Sequence, residues 1–158
     1  MKIAYLHGLE SKGIGEKNHF LRKNFNHVYD PKIDYTDPKI WDKIYSDLLK
    51  FRPDYIVGSS MGGWFAYNLG KKLGIPTLLF NPALHSRTLE PPIDTSGSKY
   101  PNHSLVLGKL DKVIDAFETR KLINKGLTKF KIYDEIIEHR IPFPVFQKYL
   151  LKIKKGEL

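Results

Sequence analysis

The sequence predicts an α/β three-layer sandwich built on a six-stranded, mainly parallel sheet. Three observations predict it. Short runs rich in β-branched and aromatic residues alternate with amphipathic stretches along nearly the whole chain, the pattern of parallel strands joined by right-handed helical crossovers. Two of those runs, Tyr55-Ile56-Val57 and Leu78-Leu79-Phe80, are apolar without interruption, as strands covered on both faces are. The 158 residues are 41% hydrophobic, aromatic rings included; that supplies a sizeable core for one domain over residues 1–158 and leaves two cramped.

Each element follows from its local pattern. The first strand is read at Ile3–His7 and a helix at Glu16–Phe25, with a second strand over Val28–Tyr35. Over Lys39–Phe51, Ile40, Trp41, Ile44, Leu48 and Phe51 recur at three- and four-residue steps with Pro38 near the start, which is the helical period with a helix-start signal. Then come strand Tyr55–Gly58, helix Gly62–Leu73 and strand Thr77–Phe80. Residues 83–103 break the rhythm with Pro91-Pro92, Ser96-Gly97-Ser98 and Pro101, and a loop that long inside a compact domain reads as a lid or binding loop. Strand Ser104–Leu107, helix Ala116–Asn124, strand Phe130–Asp134 and helix Phe143–Lys154 complete the chain. The expected strand order is 2-1-3-4-5-6.

Composition narrows the function classes. Cysteine is absent, which removes disulfides, a thiolate nucleophile and cysteine-bound zinc. No apolar run reaches membrane-spanning length, and the start, MKIAYLHGLE, has too short an apolar run for a secretory signal; the chain reads as soluble and cytoplasmic. The net charge of +9 invites nucleic acid or an anionic surface. Yet 21 of the 26 cations are lysines spread over nearly every segment, whereas base readout and phosphate forks favour arginine. The charge therefore reads as a solvated surface rather than a nucleic-acid site.

In a sheet of this kind ligands bind beyond the carboxyl ends of the strands. Residues just after strands are therefore the candidates. The sharpest is Gly58-Ser59-Ser60-Met61-Gly62, followed by Gly63. It fits G-x-S-x-G after an apolar strand and before a helix, where a tight turn lifts the serine clear of the backbone and glycines allow close chain approach. Ser60 is the expected nucleophile. The competing reading is a small-residue turn that only packs a helix on a sheet or cradles a phosphate.

A serine nucleophile needs a base, and the base needs an orienting acid. His7, His85 and His139 follow strands. His139, after the last strand, is the preferred base; His7 is expected to pack within the first turn, and His85 to line the pocket entrance. Asp111, at the tip of the turn Gly108–Val113, is preferred as the acid over Asp115, which would instead cap the helix at Ala116. The backbone N–H groups of Met61, next to the nucleophile, and Leu9, after the first strand, are the expected oxyanion donors. Trp64, Leu84 and His85 are candidates for the substrate wall. The order Ser60, Asp111, His139 is the serine–acid–histidine order of the α/β-hydrolase fold, here without a cap domain.

Leu6-His7-Gly8, Gly58–Gly63, Asn81-Pro82-Ala83, Asp111–Asp115 and the late His139 resemble the YqiA-like esterases, which are minimal α/β hydrolases, over about residues 3 to 150. The resemblance implies a serine carboxylesterase with Ser60, Asp111 and His139 as its triad, no metal or organic cofactor, and Asn81-Pro82-Ala83 bordering the active site. Small carboxylic esters are the expected substrates, with thioesters inside the same chemistry. The rival is a non-catalytic binding module that keeps the fold and uses its basic surface. Two features depart from the family pattern. The segment between Asn81-Pro82-Ala83 and the strand before Asp111 is shorter than in typical family members, and the first loop reads Leu9-Glu10-Ser11 where Phe-Asn-Ser is usual, which brings a carboxylate, Glu10, to the oxyanion side.

Overall fold

The computed structural model describes residues 1–11, 13–124 and 130–158. Six parallel strands form one sheet: β1 (Lys2–Leu6), β2 (His27–Tyr29), β3 (Tyr55–Ser59), β4 (Thr77–Phe80), β5 (His103–Gly108) and β6 (Phe130–Glu135), in the order β2-β1-β3-β4-β5-β6. Five helices cover it: α1 (Glu16–Asn24), α2 (Ile40–Phe51), α3 (Met61–Leu73), α4 (Ala116–Ile123) and α5 (Phe143–Lys155). This is the α/β-hydrolase-like fold, without a cap.

The strand alternation divides the core into two layers. Ala4, Leu6, Ile56, Leu79, Leu105 and Leu107 face α2 and α3, meeting Ile44, Leu48, Phe65 and Leu69. Ile3, Tyr5, Val57, Leu78, Phe80 and Val106 face α1 and α5, meeting Leu21, Phe146 and Leu150. Phe80 lies fully buried with its ring centroid 5.4 Å from that of Phe146; truncating such a side chain to alanine costs about 3–5 kcal/mol. The helix expected from Ile40, Trp41, Ile44 and Leu48 buries those four. It ends where Arg52 turns left-handed (φ 54°) before Pro53.

The second strand differs from expectation. Val28–Tyr35 reads as one strand in sequence, yet β2 stops at Tyr29. Pro31 offers no N–H to a ladder, and Asp30 is engaged by Asn18 and Arg22 of α1. Ile33 and Tyr35 are buried all the same, 7% and 3% exposed, because they fold under the end of β1. Residues 83–103 run without helix or strand, except for the first residue of β5. They are fastened to α3: Lys72 Nζ bonds the Asp94 carboxylate and Ser96, and the Lys99 N–H donates to the Lys71 carbonyl. The Lys72 and Ser96 bonds hold the Asp94 carboxyl well below the usual carboxylate range.

Candidate active site

Ser60 stands between β3 and α3 at φ 53°, ψ −118°, a region that costs an L residue on the order of 1–3 kcal/mol and persists only when its surroundings over-determine it. They do so here. The Ser60 N–H donates to the Phe80 carbonyl at 3.0 Å, and the Ser60 carbonyl accepts from Gly63, Trp64 and Ala83. The helix can start this close to β1 only because residue 62 is glycine: a Cβ there would lie 2.1 Å from the Leu6 oxygen and 2.4 Å from that of His7. The sequence motif is thus the local condition for a strained serine.

His139, in the loop after β6, meets Ser60 and Asp111 at once. Its Nδ1 lies 2.8 Å from Asp111 Oδ2 and its Nε2 lies 3.0 Å from Ser60 Oγ. A carboxylate only accepts, so Nδ1–H donates to Asp111 and the Nε2 lone pair faces the serine hydroxyl. The Asp111 side chain is fully buried, while that of His139 is 26% exposed. Asp111 is held in turn by the N–H groups of Val113 and Ile114, which donate to Oδ1 at 2.8 and 2.9 Å. Asp115, the alternative acid, is the N-cap of α4 and accepts from Phe117 and Glu118.

Met61 is the first residue of α3, where an N–H has no partner inside its own helix. Leu9 lies in the loop after β1, whose Gly8 packs against Ser60: a Cβ at Gly8 would lie 3.4 Å from that of Ser60. His7 braces this loop from below. It is 2% exposed; its Nδ1–H donates to the Gly8 carbonyl at 2.8 Å and its Nε2 accepts from the Ile33 N–H at 2.9 Å. Those two partners require the neutral ring. The Tyr35 hydroxyl donates to the His7 carbonyl at 2.6 Å, and burial pushes its pKa far above the usual range. The expected packing of His7 within its own turn is thus half of its role. Ile33 and Tyr35 were hidden in the sequence by the strand pattern they share, and Asp30-Pro31 is the signal that separates them from it.

The remaining candidates lie on the same sheet edge. Trp64 and Leu84 are buried in the core at 9% and 7% exposure. The Arg87 guanidinium lies 4.5 Å from the Trp64 ring and donates to the Ala83 and Leu84 carbonyls. Arg87 had no signal in the sequence, since its role is to cover Trp64. His85 Nδ1 lies 3.0 Å from Thr119 Oγ1, joining the loop after β4 to α4. Glu10 is exposed. Among the described residues no group of three histidine, aspartate or glutamate side chains is placed to hold a metal ion, and no helix is long and apolar enough to cross a membrane.

Comparison with known proteins adds the fold and a family. Residues 2–157 match the model of an uncharacterised protein family, UPF0227. No curated protein matches the chain. Among solved structures it is similar to esterase PE8 at 15% identity, with a TM-score of 0.69 over 98% of this chain and 91% of that one. Alpha/beta hydrolase domain-containing protein 10 from mouse is similar at 13% identity, TM-score 0.71, over 98% and 88%. The monoacylglycerol lipase of Paleococcus ferrophilus is similar at 12%, TM-score 0.68, over 99% and 95%. At such identities the likeness establishes the fold.

Proposed function

We propose that this chain, which belongs to the uncharacterised protein family UPF0227, is a serine hydrolase that cleaves small carboxylic esters through an acyl-enzyme, in the manner of the YqiA-like esterases. One observation carries the reading: a serine held at positive φ at the start of a helix donates its hydroxyl to His139, which in turn donates to a buried aspartate.

In the first half-reaction Ser60 Oγ attacks the ester carbonyl as its proton passes to His139 Nε2. The N–H groups of Met61 and Leu9 receive the developing oxyanion, a contribution of a few kcal/mol per donor in enzymes of this type. His139 then gives its proton to the departing alkoxide, and the alcohol leaves. In the second half-reaction His139 takes a proton from water, hydroxide attacks the acyl-serine, and the acid is released as Ser60 regains its proton. Asp111 fixes the tautomer and stabilises the imidazolium without itself being protonated. We take the chain as one hydrolase domain whose uncapped site suits short acyl groups.

Labelling with a fluorophosphonate tests the assignment. The wild-type protein is expected to be labelled and Ser60→Ala is not; a folded wild type that stays unlabelled overturns it in favour of a binding module. A series of p-nitrophenyl esters from acetate to decanoate measures acyl length, with the highest kcat/KM expected at the short end.

A further inference from the structure

We infer that Asn81 is a positioning residue that sets where His139 stands relative to Ser60, by clamping together the ends of β4 and β5 and the loop after β6. The inference rests on the hydrolase reading above for its kinetic consequence, though not for its geometry.

Asn81 follows β4 with φ 40°, a left-handed conformation that asparagine tolerates better than most L residues. It is 2% exposed, and its side-chain amide is fully used. Oδ1 accepts from the Gly108 N–H at 2.7 Å. Nδ2 donates to the carbonyls of Glu138 and His139, both at 3.1 Å. With an N–H on one side and two carbonyls on the other, the orientation of the amide is determined by its partners. Its backbone N–H adds a bond to the Val106 carbonyl at 3.0 Å.

These partners are the supports of the three reacting side chains. Gly108 closes the turn that carries Asp111, whose N–H donates to the Gly108 carbonyl at 3.2 Å. The residues on either side of the Asn81-Pro82 pair hold the serine, through Phe80 O to Ser60 N and Ala83 N to Ser60 O. The loop after β6 is fixed as far as Ile137 by the N–H groups of Lys109 and Leu110, donating to the Glu135 and Ile137 carbonyls. For the next two residues, including the histidine itself, it is Asn81 that supplies the donors among the described residues. The loop approaches β5 closely enough that a Cβ on Gly108 would lie 2.5 Å from the Ile137 oxygen. A short, buried, two-faced amide fills that gap; a carboxylate of the same shape would set charge against two carbonyl dipoles.

Asn81→Asp and Asn81→Gly test the inference, the second because glycine accepts the backbone angle if the first does not fold. In either variant showing the wild-type circular dichroism, kcat for p-nitrophenyl acetate is expected to fall on the order of 100-fold while KM changes by less than about threefold, as expected for misplaced reacting groups. The imidazole ¹⁵N shifts of His139 are expected to move from a single Nδ1–H tautomer toward a mixture, which a loss of stability alone does not produce. A folded variant with wild-type kcat and an unchanged His139 tautomer overturns the inference. If the wild type itself neither takes the fluorophosphonate nor turns over esters, the hydrolase reading fails. The ¹⁵N shifts then still decide whether Asn81 orients His139.

Discussion

The two ends of the sheet each hold a histidine, and they are treated in opposite ways. His103 opens β5 at the amino edge and is 1% exposed. It packs with the rings of Tyr67 and Phe130 in a three-ring cluster, its centroid 4.9 and 5.4 Å from theirs and theirs 5.9 Å apart. Its Nδ1 lies 2.7 Å from Thr77 Oγ1, its Nε2 meets no partner among the described residues, and burial, with the charge of Lys71, pushes its pKa down to about 4. His139, at the carboxyl edge, has a carboxylate behind it and a hydroxyl in front, with a quarter of its side chain open to solvent. A buried imidazole with no anion beside it is driven neutral and inert. The same ring backed by a buried carboxylate can accept a proton when one is offered. The cavity of about 200 Å³ lined by Tyr55, His103, Phe130 and Lys131 belongs to the inert end. On the hydrolase reading proposed above, space alone therefore does not mark the chemistry.

Exchanging each histidine for glutamine breaks the comparison most directly. His139→Gln should lower kcat for p-nitrophenyl acetate by about 10⁴-fold or more, whereas His103→Gln should leave it within about threefold. Asp111→Asn follows at about 10⁴-fold, since Val113 and Ile114 can still bond the side-chain oxygen while the neutral amide no longer fixes the Nδ1–H tautomer; steady-state rates measure both. The third effect is on stability and reverses the roles. His103 titrates near 6.5 in the unfolded chain and about 4 in the folded one, so between those values the unfolded chain binds the proton first. Its contribution is fully present above pH ~6.5 and is lost as pH falls toward 4. Urea unfolding should show wild type losing about 3 kcal/mol relative to His103→Gln across that window. The smallest effect belongs to the second aspartate. Asp115→Ala removes a helix cap and should cost about 1 kcal/mol in the same unfolding assay with kcat unchanged, which separates it from Asp111.

Most of the fold was legible because parallel strands and their helices differ in period. The parallel direction of the strands follows from the alternation, and the buried faces of α2 and β3 follow from Ile40, Ile44, Leu48 and Ile56. The stretch 30–35 was not legible, since alternating Ile33 and Tyr35 look the same whether they pair in a ladder or brace a neighbouring loop. In the site, Ser60, Asp111 and His139 could be named because each sits where a strand ends, and the structure brings these three within hydrogen-bond distance. How they are held could not be read, even where the resemblance set Asn81 at the border of the site. Asn81 meets residues 27, 57 and 58 positions away, and Ile33 meets His7 across 26. No local pattern encodes such separations.

An open sheet also has two margins, each a template on which a foreign strand can add. At one margin β2 presents only three residues before Asp30-Pro31. At the other, β6 carries exposed Lys131 and Asp134, the latter paired with Arg120. The proline that ends β2 early, and so frees Ile33 and Tyr35 to reach His7, also denies an incoming strand the ladder it would need to grow into an aggregate.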